Sequence, residues 1–234
     1  MTVSLRPVGK GLLPHIATPE AFAKAFPVTD ETLQRLKTYA DCLALWQRRI
    51  NLVAPGTMDD VWHRHFADSA QILDLAPRMG GTWVDIGSGA GFPGLVVAIL
   101  LAEQPAPTSR VILVESDQRK CAFLAEVVRQ TKLASLISVE ILCARIELDS
   151  TRAKVAAADV LSARALAPLE KLLGLASPLL APRGLGVFMK GRGVEAELSV
   201  AEQCFKFSYE LVPSRTEAAS GIVVMRGPAE TAEG

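Results

Sequence analysis

Two carboxylates and a glycine-rich turn between them carry the most chemistry in this chain. Trp83-Val84-Asp85-Ile86 is a short apolar run holding an acid, and it passes at once into Gly87-Ser88-Gly89-Ala90-Gly91-Phe92-Pro93-Gly94. Glycines at 87, 89 and 91 allow a tight turn and a close approach of backbone to a bulky ligand, and a helix starting behind them would offer unpaired N–H groups. Some 30 residues on, Val111-Ile112-Leu113-Val114 ends on Glu115. In a doubly wound α/β sheet that is where an acid accepts hydrogen bonds from ribose hydroxyls. The pattern therefore predicts a nucleotide-like cofactor, with Asp85, Gly87, Ser88, Gly89, Gly91, Phe92 and Glu115 as its binding residues.

Two ligands compete for such a turn. Gly89-Ala90-Gly91-Phe92-Pro93-Gly94 formally satisfies the dinucleotide pattern, so an NAD(P)-dependent oxidoreductase is one alternative. In that fold, however, the first glycine follows the strand directly, whereas here Asp85 would place its charge against a pyrophosphate. S-adenosylmethionine has no phosphate and carries a sulfonium and an ammonium, which acids at two strand ends suit. A non-catalytic nucleotide-binding regulator is the second alternative. Against it stand the cations expected at successive strand ends: Arg145 after the third strand, Arg164 after the fourth, Lys190 after the fifth. Open α/β sheets build their crevice there. Upstream, Asn51, Arg64 and His65 supply further polar groups.

Positioning these residues requires alternating strands and helices. The periodicity predicts a helix from Thr29-Asp30-Glu31 onward, with Leu33, Leu36, Ala40, Leu43 and Ile50 on its apolar face and Tyr39 and Trp46 as core aromatics. Then follow strand 83–86, helix 92–102, strand 110–115, helix 118–132, strands 137–143 and 158–162, helix 166–180, strand 185–190, a helix from about 194, and an antiparallel pair over 205–212 and 221–226. Alternation of this kind means a mostly parallel sheet. Residues 1–18 read as irregular. The organisation expected is a helical extension over 1–75, a core over 76–228 and a polar, frayed tail over 229–234.

Composition narrows the function. With 234 residues, half of them apolar, the chain suffices for one α/β core. The 25 basic and 25 acidic side chains cancel, so attraction to nucleic acid must be local. The apolar run 92–102 is well short of the ~20 residues of a membrane span, and the first fifteen residues lack a signal-peptide core; a cytoplasmic location is expected. Cys42, Cys121, Cys143 and Cys204 form no C-x-x-C pair and no histidine-rich pattern, so neither a metal site nor a disulfide framework is expected.

Several strings together go beyond a bare glycine loop: Asn51-Leu52, Arg64-His65-Phe66-x-Asp68-Ser69, Asp85 through Gly94, Arg145-x-Glu147, Ser162-Ala163-Arg164-Ala165 and Lys190-Gly191. Over most of its length the chain resembles the bacterial small-subunit ribosomal RNA guanine-N7 methyltransferases, the RsmG or GidB family. The resemblance implies a class I, Rossmann-like methyltransferase fold and S-adenosyl-L-methionine as donor, leaving S-adenosyl-L-homocysteine. It also implies methylation of a guanine at position 527 of 16S rRNA, in or on the way to the 30S subunit, by an enzyme expected to be a monomer. Carried to this chain, Gly87 and Phe92 line the cofactor turn, Ile146 and Glu147 frame the adenine, and Arg164 sits between cofactor and substrate. Arg164, Lys190, Arg145 and His65 are then the catalytic candidates, and Asn51, Arg64, His65, Arg145 and Lys190 the substrate-binding ones. Two departures from the family pattern are Glu115, where many relatives carry Asp, and the extra small residue in Ser162-Ala163-Arg164.

The chemistry agrees independently. Guanine N7 has an in-plane lone pair and no proton, so attack on a sulfonium methyl needs alignment and no obligatory base. The chain also lacks the Asp/Asn-Pro-Pro-aromatic signature of exocyclic-amine methylation, and no cysteine follows a proline as in cytosine-C5 enzymes.

Overall fold

The computed structural model describes residues 11–76, 81–103, 110–155 and 157–232. Two helices open it, α1 (Pro19–Ala25) and α2 (Asp30–Gln47), each started by a threonine: Thr18 Oγ1 accepts the Ala21 amide and Thr29 Oγ1 that of Thr32. Such caps satisfy donors that the first helical turn leaves orphaned. α1 was not expected; seven residues are too few for a period to show, and only the Thr18-Pro19-Glu20 start signals it. A π-helical turn, Trp62–Ala67, then leads into α3 (Asp68–Ala70).

The remainder alternates: β1 (Thr82–Ile86), α4 (Gly94–Leu101), β2 (Arg110–Glu115), α5 (Gln118–Gln130), β3 (Ser138–Cys143), α6 (Asp149–Val155), β4 (Ala158–Arg164), α7 (Leu169–Ala176), β5 (Leu180–Lys190), α8 (Val194–Cys204), β6 (Phe205–Pro213) and β7 (Gly221–Thr231). The strands form one sheet in the order β3-β2-β1-β4-β5-β7-β6. β1 to β5 run parallel, and β7 is antiparallel to both β5 and β6. Because β1 pairs with β2 on one side and β4 on the other, winding reverses at β1, and the crevice opens beyond the carboxyl ends of these strands.

Three expectations change. α6 was missing from the sequence reading, since only Thr151 and Val155 of its seven residues are buried and no apolar period betrays it. α7 begins at Leu169 after Pro168, not at 166, and β5 begins at Leu180, not 185. The segment expected to fray after 228 is instead strand: Phe205 pairs with Thr231 and Lys206 with Glu230, and the Ala229 amide donates to Ser177 Oγ at 3.1 Å. Ladder hydrogen bonds need backbone rather than apolar side chains, which is why a polar composition concealed this edge.

Alternation along the strands sends side chains to two layers. Trp83, Val111, Leu113, Val160 and Val187 face the layer of α1, α2, α4 and α5, while Val84, Ile86, Ile112, Leu161 and Phe188 face that of α7 and α8. α4 is apolar all round because it is covered all round: every residue from Gly94 to Leu100 is buried. Over it, α2 brings Tyr39, fully buried, onto the glycine turn. The Tyr39 ring stacks on Phe92 with centroids 5.2 Å apart, and its hydroxyl donates to the Ala90 carbonyl. Tyr39→Phe keeps the ring and strands that carbonyl; it is expected to cost about 1–3 kcal/mol, read as a lowered urea midpoint with an unchanged slope.

Candidate active site

A cavity of about 470 Å³ opens at the carboxyl ends of β1, β2 and β3. Its floor is the turn Gly87-Ser88-Gly89-Ala90 with Phe92, its far side Glu115, Ser116 and Lys120, and its lip Ala144 to Glu147, with Arg164 to Leu166 opposite. This volume lies within the roughly 300–1,000 Å³ range of cofactor sites. Gly87 has φ +67°, and a Cβ there would meet Leu166 Cδ1 at 2.6 Å across the opening. Gly91 behaves differently. It does not line this cavity; with φ +89°, its missing side chain makes room for Leu95 Cδ1 and the Tyr39 hydroxyl, at 2.6 and 2.7 Å from a built Cβ. It is a packing glycine.

The two acids take different roles. Glu115 faces the cavity while its oxygens accept three backbone amides: Gly89 at 2.8 Å on Oε2, and Ser116 and Asp117 at 2.7 and 2.8 Å on Oε1. One carboxylate thus fixes the turn and the start of α5 together. Asp85 lies beneath the turn, 1% exposed, and does not reach the cavity where the sequence reading had placed it. Its Oδ1 accepts the Ser162 hydroxyl at 2.7 Å, Ser162 in turn accepts the Trp83 indole N–H at 2.9 Å, and Oδ2 closes no hydrogen bond. Burial pushes the Asp85 carboxyl up to about 6, opposed first by the Ser162 hydroxyl. The amino end of α4 therefore points at a buried carboxyl, which leaves no open helix terminus for a diphosphate.

A second cavity, about 660 Å³, adjoins the first and shares Leu52, Arg164 and Ala165 with it. Arg164 is held from three directions: Nη1 donates to the Arg64 carbonyl at 3.1 Å and pairs with Asp68 at 3.4 Å, Nη2 donates to His65 Nδ1 at 2.8 Å, and the guanidinium lies 5.1 Å from the Phe92 ring centroid. These contacts set the histidine's tautomer. Thr57 Oγ1 donates to the Ala54 carbonyl at 2.7 Å, so it accepts from His65 Nε2 at 2.8 Å, leaving the Nδ1 lone pair for Arg164. His65 is buried and stacked on Phe92; burial first, then Arg164 and Arg64, lower its pKa to about 3. It is neutral, and both ring nitrogens are engaged.

Of the remaining sequence candidates, Ser88, Gly89, Ile146 and Glu147 line the first cavity. Arg145 lines that cavity alone, whereas Arg64 and His65 line the second alone. Lys190 also lines the second, but its ammonium is engaged: Nζ pairs with Glu197 at 2.6 Å and donates to the Ala167 carbonyl at 2.8 Å, and the side chain is 8% exposed. Asn51 is exposed and lines neither. Sequence reasoning missed Lys120 and Leu166 on the cavity walls, and the Asp68–Thr216 hydrogen bond of 2.7 Å behind Arg164. Arg192, in the string Met189-Lys190-Gly191-Arg192 at a strand end, lines the second cavity.

A family model described as rRNA small subunit methyltransferase G matches residues 32–221. The proteins named Ribosomal RNA small subunit methyltransferase G of Parvibaculum lavamentivorans and Paramagnetospirillum magneticum are 44% and 45% identical to this chain. The first match covers 92% of this chain and 91% of the relative, the second 89% and 95%. Among solved structures, a methyltransferase from Geobacter sulfurreducens shares the fold at TM-score 0.53 and 16% identity, over 93% of this chain and all of that one. Aeropyrum pernix fibrillarin, solved with natively bound S-adenosyl-L-methionine, does so at TM-score 0.52 and 16% identity, over 70% of this chain and 75% of that one.

The pKa shifts have opposite linkage signs. His65 titrates near 3 when folded and near 6.5 when unfolded, so acidification from 6.5 downward protonates the unfolded chain first and removes stability. Asp85, raised to about 6 from 3.8, costs stability as pH rises from about 4 to 6. Relative to His65→Asn, the wild type should therefore lose stability from pH 6.5 to 5, with a slope approaching about 1.4 kcal/mol per pH unit in urea titrations. Its His65 ring resonances should stay constant from pH 8 to 5; a midpoint near 6.5 would refute the assigned network. The two glycines should also separate. Gly91→Ala is expected to lower the melting temperature through Leu95 and Tyr39, and Gly87→Val to abolish S-adenosylmethionine binding in calorimetry, with the fold retained by circular dichroism.

Proposed function

Since the chain belongs to the rRNA small subunit methyltransferase G family, we propose that it transfers the methyl group of S-adenosylmethionine to N7 of a guanine in 16S rRNA. Arg164 carries this reading, because it is the cation common to two adjoining cavities and is held there by a neutral histidine. The first cavity suits the donor. Glu115 offers a carboxylate for ribose, Ile146 a buried apolar contact and Glu147 a polar one for adenine, and the turn a close backbone approach. When bound there, S-adenosylmethionine supplies an electrophilic methyl on a sulfonium.

What the chain itself must do is align, and the second cavity supports that role. Arg164 lines both cavities, and a guanidinium N–H beyond those taken by Arg64, Asp68 and His65 would hold a purine's O6 while N7 stays free. No proton need leave N7. This fits a site whose nearest histidine has its lone pair committed to Arg164 and its pKa near 3. Exposed Arg64 and Arg192 on the second cavity are placed for RNA phosphates, and a base would enter drawn out of its stack. Lys190 acts one step back, fixing the Ala167 loop and Glu197. A nicotinamide reading finds less support, because the amino end of α4 faces Asp85.

Labelled donor incubated with 30S particles and with naked 16S RNA from a strain lacking the gene tests the reading, with mass analysis of the digested product. 7-Methylguanosine is expected, and a methyl on an exocyclic amine or on ribose would overturn it. Under single-turnover conditions the rate should be flat from about pH 6 to 9. Arg64→Ala and Arg192→Ala should each raise the KM for RNA and shallow its salt dependence by about one counterion, with donor affinity unchanged.

A further inference from the structure

Two thiols next to residues that wall the donor cavity are unused by methyl transfer. Cys143 ends β3, exposed, with its Cα opposite Glu115 in the parallel register of β2 and β3. Cys121, buried in the first turn of α5, donates its S–H to the Glu115 carbonyl at 3.3 Å. Both residues thus lie against the backbone of Glu115, and Cys143 is among the groups that raise the Cys121 thiol. Both are free, although they come from different elements and meet at the residue whose carboxylate fixes the glycine turn. Directly after Cys143 the backbone becomes cavity wall: the Ala144 amide donates to the same Glu115 carbonyl at 2.9 Å, and Arg145 to Glu147 follow.

We propose that Cys121 and Cys143 form an oxidisable pair, joined by hydrogen peroxide into a disulfide that weakens donor binding. The exposed thiol reacts first: Cys143 thiolate attacks one peroxide oxygen, giving a sulfenic acid and hydroxide. Cys121 then displaces the sulfenic oxygen, which takes the Cys121 proton and leaves as water, so two thiols and one peroxide give one disulfide and two waters. Burial first, then the neighbouring Cys143 thiol, pushes Cys121 up to about 12, which is why it resolves rather than initiates. Closing the contact to an S–S bond of about 2.05 Å draws residue 143 toward α5. It also removes the S–H that the Glu115 carbonyl accepts, so the lip from Ala144 to Glu147 moves relative to the turn. The effect on the donor rests on the proposed function; the disulfide does not.

The test treats the full chain with hydrogen peroxide, maps its peptides by mass spectrometry and titrates it with S-adenosylmethionine before and after dithiothreitol. A linked Cys121–Cys143 peptide is expected, with donor affinity reduced about tenfold and restored by reduction. Cys143→Ser should be insensitive, and Cys121→Ser should leave a dimedone-reactive sulfenic acid on Cys143. Sulfinic acid on Cys143 beside a free Cys121, or a linked protein with unchanged donor affinity, would overturn the proposal. A reduced chain that binds no donor would instead overturn the proposed function and with it the effect on affinity, while the linked peptide still decides the modification.

Discussion

The guanidinium of Arg164 is the joint on which the site depends. It stands at the end of β4, beside the reversal of winding, yet every group that holds it comes from another part of the chain: the Arg64 carbonyl, Asp68, His65 and the face of Phe92. A cation so placed would lower the affinity of a neighbouring imidazole for its proton, and the imidazole's lone pair would orient the cation; both occur here. Each therefore explains the other. His65 neutral and aligned is the condition for Arg164 to have one orientation, and the stack of His65 on Phe92 carries that alignment to the glycine turn.

The acids divide labour in the same manner. Glu115 is anchored by three amides and remains at the cavity surface, whereas Asp85 is covered and shifted toward its neutral form. Both carboxyls are buried, but the one a residue before the strand end lies beneath the turn, and the one at the strand end opens onto the cavity. That single step along a strand separates a ligand-facing acid from one that positions the turn.

Much of this was legible in the sequence because it rests on local chemistry. The strand–turn–strand run from Trp83 to Glu115 announces itself in apolar runs broken by glycine, and the alternation that follows dictates a parallel sheet. What stayed hidden depends on distance in the chain. Asp85 and Glu115 look alike in sequence, and only their places relative to the cavity distinguish them. Lys190 reads as a free cation until Glu197 of the next helix comes beside it. Gly91 reads as part of a ligand loop until Tyr39, from 52 positions earlier, needs its space. α6 and the last turns of β7 are polar, and neither periodicity nor composition marks backbone whose only requirement is a partner.

The second cavity is walled by residues far apart in the chain. Ser214 and Thr216 come from the segment joining β6 to β7, and they meet Gln71, Asp68 and His63 across separations of 143 to 153 positions. Leu13 is fastened to Arg215 there as well. During synthesis the donor half, built from β1 to β4, exists long before this wall can close. A nascent or truncated product could thus assemble a cofactor pocket while lacking the chamber beside it. The chamber beside the first cavity is complete only once β7 stands in place, so the order of synthesis separates the closing of its wall from the formation of the pocket.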